Sequence, residues 1–453
     1  MNKNNKILKG AIALGLGAFV TKLLGAIYRI PLTNLLGGLG LGLYQMVFPV
    51  YSVLLDFSGA GVPSALSKII SSNQKDDKYS SAEKYLKISL KFFLVLGLFF
   101  SILMIVFSRS LSALQGNGQA YAGYVALAPA VFLVALISCY RGYFQGFMNM
   151  KPTAISQIIE QLVKLLVGLA LAYLFLPNIT LSVAGATLAI SISEFFAFLY
   201  LFIKHKRFKK NLILNTYVDV SDYKGILKKI IKITMPITLI GIMIPLSQVI
   251  DSFLIVNILS GYRQDATALY GLLSGVASTV VGLPVSICYG ISAVTIPAVS
   301  SVQTETEKNV NALRTLFLTL CVSLASAVFI ACFAPFIINL LFRSLVVQEK
   351  IIAVKLLRLS SPCVVFLSLL QTSNAVLIGK GKFYKPVISL AIGVVVKVIS
   401  NVTLLKITEL NIYGGALSVI ACYFVATLLN FIMIFSFKVK NENKSTYRRE
   451  YAS

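Results

Sequence analysis

The chain has no tryptophan and only one histidine, His205, among its 453 residues, and acidic side chains are scarce: 16 Asp and Glu stand against 41 Lys and Arg. A single histidine leaves no basis for a His-rich metal centre or a His-based nucleophilic triad, so neither a metal site nor a catalytic site is expected. The six cysteines (Cys139, Cys288, Cys321, Cys332, Cys363, Cys422) all lie in apolar runs without CxxC spacing, which reads as small packing residues rather than disulfide or metal ligands. Charged residues make up 13% of the chain, about half the ~25% of a soluble domain. With 57% hydrophobic residues and a mean hydropathy of +0.84, the composition is that of a polytopic membrane protein. The formal charge of +25 would suggest nucleic acid in a soluble chain, but no basic-aromatic recognition motif is present, and no nucleic-acid partner is expected.

Runs of about 20 mainly apolar residues mark twelve spans, near 10–35, 41–66, 86–108, 122–146, 152–176, 180–203, 228–257, 267–298, 312–341, 351–378, 386–407 and 413–437. The first exceeds signal-peptide length and shows no small-residue cleavage pattern, so it reads as a retained span. His205 falls in the basic stretch after the sixth. Most lysines and arginines outside the spans collect in alternate connections and at the two ends. The positive-inside rule then places both termini in the cytoplasm of a plasma-membrane protein. The same basic fringe suits contact with anionic membrane lipid.

The stretch from Lys204 to Ile231 divides the chain near its middle, and the halves repeat. Lys151, Pro152, Ser156 and Lys164 align with Lys385, Pro386, Ser389 and Lys397; Gly185, Phe195 and Ala197 align with Gly414, Phe424 and Ala426; Asn34 and Tyr44 meet Asn257 and Tyr270. Six spans repeated in one orientation imply a pseudo-two-fold axis along the membrane normal. The expected architecture is all-α, with twelve transmembrane helices in two pseudo-two-fold-related six-helix lobes around a central cavity. The N-terminal lobe is 1–210, the cytoplasmic linker 211–227, the C-terminal lobe 228–437 and the basic tail 438–453.

Charges inside the spans point to what such a cavity would hold. The first span carries Lys22 and Arg29, seven residues apart and so on one helix face. A cation at the centre of a spanning helix costs at least ~2.5 kcal/mol, so that face looks at a polar interior. Lys164, Arg358 and Lys397 are also intramembrane, with Arg141 near the cytoplasmic end of its span. The acidic groups are Asp56, Glu160, Glu194 and Asp251. Arg29 and Asp251 lie at matching outer depths and could pair across the lobes when the outer side is shut. Arg141, Glu160 and Lys164 read as a structural network, Glu160 and Lys164 being an i,i+4 step. Lys22, Arg29 and Lys397 are the candidate ligands for a pyrophosphate, and Asp56, Asp251 and Glu194 the candidates for gating or ion coupling. The basic excess favours an anionic cargo.

The segment RGYFQGFMNMKPTAISQIIEQLVK (Arg141 to Lys164) resembles the group of sporulation stage V proteins B and Gram-positive lipid II flippases, within the multidrug/oligosaccharidyl-lipid/polysaccharide (MOP) exporter superfamily. YRIPLTNLLG (Tyr28 to Gly37), GLYQMVFPVYS (Gly42 to Ser52), GAGVPSALSK (Gly59 to Lys68), DSFLIVNIL (Asp251 to Leu259) and ATALYGLLSG (Ala266 to Gly275) resemble the same group. The resemblance implies two six-helix lobes, a cavity lined by the first, second, seventh and eighth spans, and alternating access for a lipid-linked headgroup. It also implies a role for basic residues of the first span: Lys22 matches the first of the group's and Arg29 falls beside the second.

The leading expectation is a flippase for an undecaprenyl-pyrophosphate-linked saccharide, either lipid II or a surface-polysaccharide unit. It would work as a monomer among membrane lipids, without a cofactor, driven by H⁺, Na⁺ or the membrane potential, with cell-wall synthesis proteins as candidate partners. A cation-coupled multidrug antiporter of the same superfamily would instead use Asp56 or Asp251. A non-transporting scaffold for cell-wall or sporulation proteins is a further alternative. An enzyme is disfavoured, because the outer connections are short and nearly free of acid.

Overall fold

A computed structural model of the chain describes residues 3–72, 78–210, 223–302 and 304–435, without the side chains of 3–20, 22, 23, 26, 78–80, 210, 236, 240 and 297. In hydrocarbon every backbone N–H and C=O must find its partner within the protein, and the long apolar runs meet that demand as helices. The helices are α1 (Lys3–Leu55), α2 (Val62–Ser72), α3 (Lys78–Val106), α4 (Ser108–Leu114), α5 (Tyr121–Gly146), α6 (Lys151–Leu174), α7 (Ile179–Lys210) and α8 (Tyr223–Ser260). They continue with α9 (Ala266–Gly271), α10 (Ser278–Ser300), α11 (Glu305–Leu341), α12 (Val347–Ser360), α13 (Pro362–Gly379), α14 (Lys385–Leu404) and α15 (Ile412–Phe435). Wider π-turns at Asp56–Ala60 and Leu272–Ala277 join α1 to α2 and α9 to α10.

Eleven stretches among the described residues are long and apolar enough to cross a membrane, and the first, Ile27–Ser72, holds two of the expected spans. Gly37 divides them: its φ of 63° and ψ of −171° fit no helix and suit only a residue without Cβ. Before the break, Gly25 faces Gln161 and Tyr28 faces Gly168, so this limb runs alongside α6. After it, Val47 meets Gly123, Leu66 meets Gly142 and Ile70 meets Gly146, so the second limb runs alongside α5. A four-residue turn, 147–150, reverses the chain between α5 and α6, so the two limbs are antiparallel. Counting them separately, and α12 with α13 as one span bent at Ser361–Pro362, gives the twelve read from hydropathy.

Packing groups the helices into two compact units, Met1–Gly275 with Phe342–Val346, and Val276–Leu341 with Val347–Ser453. Repetition in the sequence divides the chain elsewhere, at 211–227, of which 211–222 lies outside the described residues, as does the tail 438–453. Between the two divisions lie α8 and α9, which belong to the second repeat by sequence and pack on the first unit.

In the first unit, α2, α3, α5 and α7 share a core with Leu66, Ile69, Leu86, Phe93, Tyr143 and Leu201. An acid is buried within it. Glu83, 2% exposed, takes His205 Nε2 at 2.7 Å, the Tyr143 hydroxyl at 3.0 Å and Lys209 Nζ at 3.5 Å. His205 therefore lies on α7, not in a basic loop, and stacks against Tyr140 and Tyr143. Breaking a buried charge pair costs ~3–5 kcal/mol, because the surviving charge is left uncompensated. Glu83→Ala is expected to lower the unfolding temperature in detergent markedly and Glu83→Gln less so, as followed by monodisperse protein remaining after heating.

The second unit repeats part of the first. α6 and α14 both open on Lys-Pro, and each places a buried serine whose hydroxyl donates back one turn, Ser156 to Thr153 O at 2.8 Å and Ser389 to Pro386 O at 3.0 Å. Gly185 lies against the backbone of Leu171, and Gly414 lies likewise against that of Leu404. Buried hydroxyls and amides cross-link its helices: Thr372 lies 3.0 Å from Ser292 and 2.9 Å from Thr319, and Asn430 bonds Ser373, Asn374 and Ser389.

Candidate functional site

Two cations of the first unit, Arg29 and Lys164, lie close to Tyr28. This residue, 2% exposed, lies next to Arg29 on α1 and needs space on α6, which Gly168 supplies: a Cβ there would stand 2.7 Å from the Tyr28 hydroxyl. Lys164 lies one turn earlier on α6, so its Nζ sits over the Tyr28 ring, 5.6 Å from the centroid. A cation over an aromatic face is attracted by the ring quadrupole, which partly replaces the water it has lost. Lys164 also feels the charge of Arg29, as do the hydroxyls of Tyr28 and Tyr44. Arg29 is half-buried, and among the described residues no carboxylate lies within ion-pair distance of it.

Two acids complete the cluster. Glu160 accepts from Arg141 Nη2 at 3.2 Å and from Gln161 Nε2 at 3.0 Å, while Arg141 Nε donates to Ser156 Oγ at 3.0 Å. Glu194 on α7 is 5% exposed; its Oε2 has no hydrogen-bond partner among the described residues, and the charges of Glu160, Arg141 and Lys164 act on it. The Gln157 side-chain oxygen is similarly unbonded. Buried polar atoms in proteins are almost always bonded, so each of these acceptors has room for a donor or, at Glu194, a proton.

The structure places the other charged residues singled out in the sequence. In this structure Arg29 and Asp251 form no ion pair; Asp251, 8% exposed on α8, lies within electrostatic reach of Tyr270. Lys164 makes no ion pair with Glu160, which takes Arg141 and Gln161, but Glu160 is the charge that acts on it most, ahead of Arg29 and Glu194. Lys397, 4% exposed, belongs to the second unit, on the stripe Ser389, Gly393, Lys397 and Asn401 of α14, where Gly393 presses on the Cys422 carbonyl of α15. Arg358 is exposed in the last turn of α12. Asp56 is half-buried at the head of the first π-turn and faces Gly241 of α8, with no ion pair among the described residues. Lys22 is on α1, but its side chain lies outside the described residues. Tyr28, Gln157 and Gln161 were not foreseen; the signal available for them was polar residues at helical spacing on either side of Glu160. The second unit also contains a cavity of ≈ 460 Å³ between α10 and α11, lined by residues such as Val280, Leu283, Ile287 and Phe329. It holds no charged group and is no headgroup site.

Residues 7–303 match the polysaccharide biosynthesis protein family, and residues 236–403 match MatE. The lipid II flippase MurJ of Bacillus subtilis (strain 168) is 28% identical over 455 residues, covering 95% of this chain and 83% of that protein. Stage V sporulation protein B of the same organism is 30% identical over 300 residues, 65% of this chain and 58% of the relative. Among solved structures, an inward-facing multidrug resistance MATE family transporter of the MOP superfamily superposes with a TM-score of 0.78 at 18% identity, covering 98% of this chain and 99% of that one. An outward-facing conformation gives 0.67 at 19% identity over the same shares. At such identities the solved structures establish the fold.

Proposed function

We infer that this chain, a multi-pass membrane protein that belongs to the polysaccharide biosynthesis protein family, is a flippase for an undecaprenyl-pyrophosphate-linked saccharide. It carries lipid II or a surface-polysaccharide unit from the inner to the outer leaflet of the plasma membrane by alternating access, with both termini cytoplasmic. The observation that carries this reading is the cation cluster on α1 and α6. Arg29 stands without a carboxylate partner among the described residues, and Lys164 stands over Tyr28 beside it. Lys164 feels the opposite charge of Glu160 more than the repulsion of Arg29, and a bound polyanion would supply the partner that Arg29 lacks. Arg29 offers a fork of donors matched to phosphate oxygens, Lys164 a compact charge, and Lys22 lies further back along the same helix. The headgroup binds there while the isoprenoid tail stays in hydrocarbon. Lys397 is a second-unit candidate for the same cargo. Glu194, Asp56 and Asp251 are the groups through which H⁺, Na⁺ or the membrane potential would act. The similarity to a lipid II flippase over nearly the whole chain favours this substrate class.

Its relatives include a flippase and transporters, which favours transport over catalysis. A cation-coupled drug antiporter is favoured by one observation, the half-buried carboxylate of Asp56 without an ion pair among the described residues. Cells carrying Asp56→Asn are expected to lose part of their lipid-linked saccharide export and to show unchanged resistance to cationic drugs. Loss of resistance with export intact would favour the antiporter.

A further inference from the structure

We propose that the end of the second unit where α11 begins, α13 ends and α14 begins binds one anionic phospholipid: Lys380 and Lys382, with Lys308 and Lys385, hold its phosphodiester. The site belongs to the second unit, whereas the Arg29 cluster belongs to the first, and it stands whichever cargo the protein carries.

Comparison of the two repeats shows that the fold does not need these lysines. α5 and α13 close in the same way, on a residue of positive φ, Met148 at 57° and Gly381 at 75°. Met148 N returns to Gln145 O at 2.9 Å and Asn149 N to Phe144 O at 3.0 Å; Gly381 N returns to Ile378 O and Lys382 N to Leu377 O, both at 2.9 Å. A Lys-Pro helix start follows in each case. Around the positive-φ residue the first unit has Phe147, packed on Tyr143 and Phe208, and Asn149. The second unit has Lys380 and Lys382. The same turn forms without lysine, so the two added cations need another reason.

Their surroundings gather charge of one sign. Lys380 Nζ donates to Asn309 Oδ1 on α11 at 2.6 Å, and Lys308 Nζ, one residue before Asn309, donates to Glu305 Oε1 at 3.0 Å. Glu305 and Glu307 are the acids of that helix's first turn, and Lys380 and Lys382 act on Glu305 as well. Lys385 opens α14, at the positive end of its dipole, where a cation is disfavoured and an anion welcome. Burial, and then the charges of Lys385 and Lys380, hold Lys382 below the ordinary lysine range; burial also lowers Lys380, against the pull of Glu305. All four lysines are half-buried, whereas Lys228 and Lys229 on α8 are exposed. A phosphate placed among them gains charge-assisted hydrogen bonds and relieves their mutual repulsion.

The apolar surface around them identifies the anion as a lipid. Between Lys382 and Lys385, Phe383 and Tyr384 are 56% and 70% exposed at the end of three membrane-spanning helices, where aromatic side chains sit at headgroup depth. Below this end, Val310, Leu313 and Phe317 form an exposed stripe on one face of α11, and Ile388, Ile392 and Val395 form another on α14. Acyl chains hanging from a phosphate here lie along such stripes, which a soluble anion would leave uncovered. The positive-inside pattern puts this end at the cytoplasmic leaflet.

The test is a titration of a fluorescent phosphatidylglycerol with the purified full chain in a non-ionic detergent, read by anisotropy. Wild type is expected to bind it saturably. Lys380→Gln with Lys382→Gln is expected to weaken binding roughly 10- to 30-fold, and Lys382→Gln alone about fivefold should the double variant not stay monodisperse. Lys228→Gln with Lys229→Gln removes the same charge from an exposed face and is expected to change binding less than about twofold. Equal weakening by the two double variants, or no weakening by Lys382→Gln, overturns the site. Unlabelled phosphatidylglycerol is expected to displace the probe at a concentration where phosphatidylcholine and inorganic phosphate do not. Displacement by phosphatidylcholine at that concentration overturns recognition of the headgroup charge, and displacement by inorganic phosphate overturns the lipid assignment.

Discussion

Replacing Arg29 by alanine is expected to raise the half-saturating concentration of a pyrophosphate-linked substrate roughly 10- to 100-fold, and Lys22→Ala with Arg29→Ala together to leave no measurable transport. A hydrogen bond to a charged group contributes about 1.5–3 kcal/mol, and each 1.4 kcal/mol is tenfold in affinity. The fold should not suffer, because Arg29 has no carboxylate to orphan among the described residues and its removal relieves repulsion with Lys164. Arg29→Lys keeps the charge and loses the fork, so an intermediate loss is expected. The measurement is initial flipping rate against substrate concentration, with monodispersity of the purified variant as the control. Transport at the wild-type rate by the double variant would remove the cationic cluster from the mechanism.

Arg141→Ala is expected to act in the opposite way, on the fold before transport. Arg141 lies between two acids, bonded to Glu160 at 3.2 Å and acting electrostatically on Glu194. Without it the half-buried Glu160 and the buried Glu194 share one neighbouring lysine, and removing one member of a half-buried pair costs less than the about 3–5 kcal/mol of a fully buried one. Much of that loss is expected to return in the double variant Arg141→Ala with Glu160→Ala, which leaves no unpaired partner behind. Thermal unfolding of the wild type, the single variants and the double variant gives the coupling directly; additive losses would show that Arg141 and Glu160 do not act together.

The twelve spans were legible because hydrocarbon imposes one rule on every segment, and even the Gly37 break fell between the expected runs 10–35 and 41–66. The repeat was legible at α6 and α14, where Lys-Pro starts and back-bonding serines recur. Lys164 was not. An i,i+4 step to Glu160 is visible in sequence, but whether Glu160 is already taken by Arg141, and whether Gly168 opens room for Tyr28, depends on how α1, α5 and α6 pack. Glu83 and His205 were missed for a related reason: they lie 122 positions apart and meet only because α3 and α7 both pack on α5.

The most direct measurement is flipping by the purified wild-type protein in liposomes, comparing an undecaprenyl-pyrophosphate-linked saccharide with the same saccharide on a neutral polyprenyl carrier. If Arg29 and Lys164 are there for the pyrophosphate, the charged lipid crosses rapidly and the neutral one hardly at all. Equal rates for the two lipids, or no movement of either while a cationic drug is transported, would contradict the account.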